Sequence, residues 1–365
     1  MLVDIIILFI ILMKTYIIDS VNNIPNKFFI NYLNTNEHWV KAPSNVKQVD
    51  FAYLSMSHGN MKKYYIISRY ISNYFDSSYH MKYITNKSAL IYTITKFSSS
   101  LSRMILVPSY NILKKNITEQ QLNKYKKYFD KYKILILRPT WGFARGGIII
   151  FDDFIKFKSY MLDIGLKNIN DQHENECYVL SQFITKQMQY KGHVFNLRIY
   201  LLISKINNVY YGGWLKNIRI NLAKTKYEDA LKNINTNNVI GLVSSYNYIN
   251  FMELFTGNEN MMNFVFEQIK HIINILFHII KKHNIMKNYN NVDNSCEIFG
   301  LDMIITDNMI VKLIEFNHKP GLFRLDDISF NQLVGLFIDL TINKAYKSPY
   351  NILIPDTIKS ELIYL

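Results

Sequence analysis

The sequence predicts a mixed α/β (α+β) fold on three observations. Short apolar, strand-like runs alternate with helical patterns along the chain. One stretch, 262–280, keeps apolar residues at helical spacing throughout. No internal repeat or long low-complexity linker interrupts the order. With 365 residues, 49% of them hydrophobic, the chain can bury a substantial core and divide into two or three domains.

The elements follow in order. Residues 5–13 are a continuous apolar run of nine, too short to span a bilayer, and Asp4 stands where a leader would carry a basic residue. Met13 is an internal candidate start, which makes 1–13 a hydrophobic extension and 14–19 the first strand. Residues 134–137 and 148–151 flank a glycine-bearing turn, Trp141-Gly142-Phe143-Ala144-Arg145-Gly146-Gly147, and read as a hairpin. The polar, irregular stretch 152–176 reads as containing an exposed loop. Residues 178–184 and 197–203 are further strands. In 262–280, Met262, Val265, Phe266, Ile269, Ile272, Ile273, Leu276, Ile279 and Ile280 form the core stripe of one long amphipathic helix. Two strand-like runs, 298–305 and 310–317, are separated by the turn residues Thr306-Asp307-Asn308 and form an antiparallel hairpin.

That last hairpin carries the chemistry. It sets Asp302, Glu315 and Asn317 into apolar sequence, with Glu315 and Asn317 on one face and Asp302 within diagonal reach of Glu315. A buried carboxylate without a partner is costly, and a divalent cation neutralises several oxygens together. Mg2+ suits the set best, since it is commonly held by one or two carboxylates and substrate phosphates. Acids on the wet face of an amphipathic hairpin are the plainer reading. Arg198, between Leu197 and Ile199, is a cation in an apolar strand and needs an anion partner, either a structural one or a substrate. The glycines after Arg138-Pro139 can bring backbone N–H groups to phosphate, but no Gly-Lys-Ser/Thr follows them.

Net charge is +14, which favours an anionic partner, although the lysines are scattered rather than striped and no aromatic-and-basic nucleic-acid module is present. Cys177 and Cys296 have neither metal spacing nor a disulfide framework, so a reducing, cytoplasmic setting is expected.

The order of these pieces reaches a family. Asn86-Lys87-Ser88-Ala89-Leu90, Leu137-Arg138-Pro139 with Ala144-Arg145-Gly146-Gly147-Ile148, Gln182-Phe183-Ile184, Phe195-Asn196-Leu197-Arg198-Ile199-Tyr200, Phe299-Gly300-Leu301-Asp302 and Glu315-Phe316-Asn317-His318-Lys319-Pro320-Gly321-Leu322 together resemble the tubulin tyrosine ligase and ligase-like family, over roughly 14–340. The resemblance implies an ATP-grasp fold: an extension 1–13, an N-terminal α/β subdomain 14–83, a central subdomain 84–182, a C-terminal subdomain 183–345 with the metal site, and a tail 346–365. Nucleotide lies between the central and C-terminal subdomains. It implies an ATP- and Mg2+-dependent ligase that joins glutamate or tyrosine to a protein carboxylate through an acyl phosphate. The acceptor it implies is an acidic tubulin tail, and the enzyme a monomer with no stable membrane span and no nucleic-acid partner.

Residue by residue, Asp302, Glu315 and Asn317 match the metal ligands. Lys87, Arg138, Arg145, Gly146, Gly147 and Asn196 match nucleotide- and phosphate-contacting positions, and Gln182, Phe183 and Ile184 match the hinge along the adenine. Arg198 matches the arginine that holds the reacting carboxylate and developing phosphate charge. Lys216 and Arg219 compete for a second basic catalytic position. The family pattern has lysine at Val194, aspartate at Asn196 and usually lysine at Arg138. Compensation by Arg138, His193 or Lys191 is one outcome; a silent member that binds nucleotide or microtubules is the alternative.

Overall fold

The computed structural model describes residues 14–18, 24–42, 50–53, 71–72, 84–113, 117–140, 148–167, 177–232, 251–286, 294–318, 320, 325–346 and 351–365. Among them are two sheets, of eleven and four strands. The expected strands at 134–137 and 148–151 are present as Leu135–Pro139 and Ile149–Phe151, paired antiparallel; their tip, 141–147, and the extension 1–13 lie outside the described residues.

The large sheet is organised around two long antiparallel strands, His193–Ile206 and Ser295–Ile305. Side chains alternate faces along a strand. Leu197, Ile199, Leu201 and Ile203 therefore share one face, where they join the core formed with the helix Glu259–Lys282. Tyr200 and Leu202 face the other way, into a second core with the helix Asp327–Leu340. Seven residues of the predicted stripe are buried, from Val265 to Ile280, while Met262 and Phe266 pack partly buried against the same core. Asn258 caps this helix at Met261 N–H, and Lys281 and Lys282 sit in its last turn, where cations suit the dipole.

The flanks of the central pair change along its length. At one end it is flanked by Arg219–Leu222 and Val311–His318, and at the other by Val209–Leu215 and the short parallel strand Ile71–Ser72. Phe51–Tyr53, Lys14–Ile18 and Trp39–Lys41 extend the sheet in parallel beyond Ile71–Ser72, and Leu362–Tyr364 pairs with Val209–Leu215.

The small sheet runs in the order Ser109–Leu113, Cys177–Gln182, Leu135–Pro139, Ile149–Phe151, antiparallel throughout. Phe157 and Met161 of the helix Phe154–Lys167 bury against Leu135, Leu137 and Leu180. The stretch 152–176, read as containing an exposed loop, thus opens with a helix that the sequence reading did not name. Polar residues between Phe154, Phe157 and Met161 mask their helical spacing, and Asp153 accepts a bond from Lys156 N–H at 2.8 Å to satisfy the first turn. Residues 168–176 lie outside the described set.

The chain passes between the sheets twice, between Ile71–Ser72 and Ser109–Leu113 and again between Cys177–Gln182 and His193–Ile206. Phe183 N–H donates to Ile134 O at 3.0 Å on the small-sheet side, and Met188 N–H donates to Ile305 O at 2.9 Å on the large-sheet side. Lys312 Nζ donates to Arg103 O at 2.9 Å at the end of the helix Ser99–Ile105, within the large-sheet core, whereas Asn111 Nδ2 of the small sheet donates to Ser88 O at 3.2 Å. No helix among the described residues is long and apolar enough to cross a membrane.

Candidate functional site

Opposed residues in antiparallel strands project to one face, so register alone assembles a polar row. Arg219 opposes Arg198, Arg198 opposes Asp302, and Asp302 opposes Glu315, across four neighbouring strands. Asp302 and Glu315 are therefore directly opposed rather than diagonal, as the sequence suggested. The reason is an irregularity between Asp302 and Met303, where the pairing slips by one residue; evenly counted from the turn, the two would be out of step. The row occupies the same face as Tyr200 and Leu202, beyond the part covered by the helix Asp327–Leu340.

Each acid has its own cation. Arg198 forks onto Asp302, Nε to Oδ1 at 2.5 Å and Nη2 to Oδ2 at 2.9 Å. Lys87 Nζ lies 2.7 Å from Glu315 Oε1. Lys87 is the first residue of the helix Lys87–Phe97, held there by Asn86, whose side chain accepts from Ser88 and Ala89 N–H. Asn317 Nδ2 donates to Asp302 Oδ2 at 3.3 Å.

The small sheet contributes Arg138. Its Nη2 donates to Ser181 Oγ at 3.0 Å and its Nη1 to Ile314 O at 3.3 Å, so it spans both sheets. It is 6% exposed, and its buried Nε has no hydrogen-bond partner among the described residues.

Burial pushes the Glu315 carboxyl up, but Lys87, Arg138 and Arg198 together outweigh it and hold the group below its ordinary value. Asp302 goes the other way: burial raises it, Arg198 only partly offsets that, and Glu315 adds repulsion. Burial alone would weaken the charge on Arg198, but Asp302 more than restores it. The fork meets both oxygens of the Asp302 carboxylate, the geometry in which a guanidinium and a carboxylate bind each other most strongly.

The remaining sequence-predicted residues divide. Asn196 shares Arg198's face, opposite Asn221. Lys216 turns away: it is exposed, with Nζ on Ser360 O at 2.6 Å, which leaves Arg219 as the second basic residue in the row. Gln182 ends its strand with its N–H on Pro108 O at 2.9 Å, Phe183 packs against Ile134, Ile136 and Ile150, and Ile184 O accepts from Gln187 Nε2 at 2.6 Å. Arg145, Gly146 and Gly147 lie outside the described residues. Of the three compensating candidates, His193 Nδ1 is bonded to Ala223 O at 3.0 Å and Lys191 lies over the Tyr190 ring, whereas Arg138 stands beside Glu315.

Two contributions escaped the sequence reading: the capping role of Asn86, quoted there only as part of a motif, and Ser181. Asn86 was legible as an amide before a helical run, a capping signature. Ser181 was not; only the strand pairing brings its hydroxyl to Arg138.

Among the described residues no three His, Cys, Asp or Glu side chains cluster as metal ligands. Two carboxylates and an amide ringed by Lys87, Arg138 and Arg198 are too few for an all-protein cage. They do fit a Mg2+ ion that arrives with phosphates, whose charge the cations would meet.

A family model described as the Tubulin-tyrosine ligase family matches residues 70–240 and 244–349, spans that include every member of the polar row. Members of that family are generally ligases on an ATP-grasp-like fold, joining an amine to a carboxylate with ATP.

Proposed function

We propose, because the chain belongs to the tubulin-tyrosine ligase family, that its polar row is the centre of an ATP- and Mg2+-dependent ligase adding glutamate or tyrosine to a protein carboxylate. The observation that carries this reading is the meeting of Asp302, Glu315 and Asn317 with Lys87, Arg138 and Arg198 on one face. The acceptor it favours is an acidic tubulin tail, which a chain of net charge +14 would attract.

Mg-ATP, when bound, supplies a γ-phosphoryl group whose transfer activates a carboxylate for attack by an amine. Asp302, Glu315 and the Asn317 amide oxygen would hold the metal, and Arg138 and Lys87 the phosphates. Arg198 and Lys87, which neutralise the two carboxylates in this structure, would be free to meet substrate and phosphate charge once those carboxylates held the metal. Arg198 already grips a carboxylate through two parallel bonds, the geometry needed to orient an acceptor carboxylate and to meet charge developing on the transferring group. Arg219, next in the row, extends that cationic surface toward the acceptor.

One feature favours a second reading. Val194 packs with Ala223 and Tyr227, an apolar contact where the family resemblance places a lysine, and this suits a silent member that binds nucleotide or microtubules. Intact-mass analysis of tubulin incubated with the protein, ATP, Mg2+ and each amino acid in turn separates the two. The ligase reading expects a gain of one amino-acid residue with glutamate or with tyrosine, reduced by orders of magnitude in Glu315→Gln with the fold intact. Nucleotide binding without any mass gain establishes the silent reading instead.

A further inference from the structure

We propose that Gly300 is a positioning residue, whose missing side chain clears the space in which Arg198 lies flat against the sheet to present its fork. The effect expected on turnover rests on the ligase reading; the placement of Arg198 does not.

Gly300 belongs to the strand Ser295–Ile305, opposite Tyr200 on one side and Asn317 on the other. Two residues from Asp302, it shares that residue's face. Its φ lies outside the left-handed region, so the backbone does not demand glycine there. Glycine inside a strand weakens it and commonly marks a close approach by another group. Here that approach can be named. A Cβ at position 300 would lie 2.7 Å from Pro320 Cβ and 3.3 Å from both Cδ and Nη1 of Arg198. Nε and Nη2 make the fork to Asp302, and the Nη1 edge lies over Gly300. A methyl group at that point lifts one edge of a planar guanidinium. The guanidinium must give by a few tenths of an ångström, and because its nitrogens share one plane the tilt lengthens or misaligns at least one of the two parallel bonds, whether the carboxylate is Asp302 or a substrate's.

The two contacts of that Cβ make the test specific. Gly300→Ala perturbs both Pro320 and Arg198, Pro320→Gly perturbs neither crowding contact, and the double variant Gly300→Ala/Pro320→Gly keeps only the one with Arg198. In arginine-labelled protein without nucleotide, the Arg198 Nε–H resonance is identified by its loss in Arg198→Lys. It should shift or exchange away in Gly300→Ala and in the double variant, and stay in place in Pro320→Gly. Amino-acid transfer should fall about 10- to 100-fold in kcat in the same two variants, with Mg-ATP affinity by calorimetry within a few fold.

An unmoved Nε–H resonance in folded Gly300→Ala overturns the proposal whatever the activity. So does its return in the double variant, which would assign the damage to Pro320. Should Gly300→Ala fail to fold, the double variant, free of the 2.7 Å contact, carries the test. If the wild-type protein transfers nothing, the ligase reading fails while the resonance still decides the role of Gly300.

Discussion

At the scale of single residues, the site is a set of buried charges that neutralise one another, and the two acids respond oppositely to their surroundings. Glu315 is held below its ordinary 4.5, so its contribution to stability is fully present above that value and is lost as pH falls through its lower folded value. Asp302 is raised above 3.8, so ionising it as pH climbs through the interval above 3.8 costs stability. Lys87 is the strongest of the cations acting on Glu315. Lys87→Met should therefore lower the melting temperature most at neutral pH, and the gap from wild type should shrink as the medium is acidified below 4.5, where Glu315 protonates in the unfolded chain. Melting curves from neutral pH down to about 3.5 read this directly. A gap of constant size across that range would mean that Lys87 acts through packing of its stem and not through the carboxylate.

At the scale of elements, what was legible depended on whether local pattern or distant pairing decided it. The long helix Glu259–Lys282 was legible because its apolar residues recur at 3.6-residue spacing over many turns, and the hairpin because turn residues separate two apolar runs. The face on which Arg198 projects follows from alternation alone. The direct opposition of Asp302 and Glu315 was not legible, since it depends on an irregularity that no residue type announces. Nor was the separation of Lys216 from Arg219, which is set by pairing with His193–Ile206 for one and with the end of the chain for the other. The helix Phe154–Lys167 is the clearest omission, short and amphipathic with charged residues between its anchors. Its hold on the small sheet is Phe157, fully buried and edge-on to Phe151 with ring centroids 5.5 Å apart. Phe157→Ala should cost about 3–5 kcal/mol by denaturant unfolding, through the lost burial and the cavity it leaves. A cost below about 1 kcal/mol would place this helix off the core.

At the scale of the molecule, the row of charges lies where two sheets with separate cores meet, and among the described residues few bonds join them. The large sheet is stabilised by its two helical layers and the small sheet by its own aromatic cluster. Among the described residues the links include the connector through Phe183 and Met188, the bond from Asn111 in the small sheet to Ser88 O, and Arg138, anchored to Ser181 in one sheet and to Ile314 in the other. A ligand whose phosphates engage Arg138 and Lys87, and whose metal engages Asp302 and Glu315, would add a strong link where native ones are few. Binding to the native state alone stabilises by about 2.7 kcal/mol at a hundredfold excess over the dissociation constant, so Mg-ATP should raise the melting temperature. The same link should slow amide hydrogen exchange in both sheets at once, at Leu135–Pro139 and Cys177–Gln182 in the small one and at Ser295–Ile305 and Val311–His318 in the large one. In Arg138→Met the protection should persist in the large sheet and weaken in the small one, because the metal ligands remain while the small sheet loses its charged contact. Protection confined to one sheet in the wild-type protein would locate the nucleotide away from the junction. No melting shift at millimolar Mg-ATP would remove nucleotide from the site altogether.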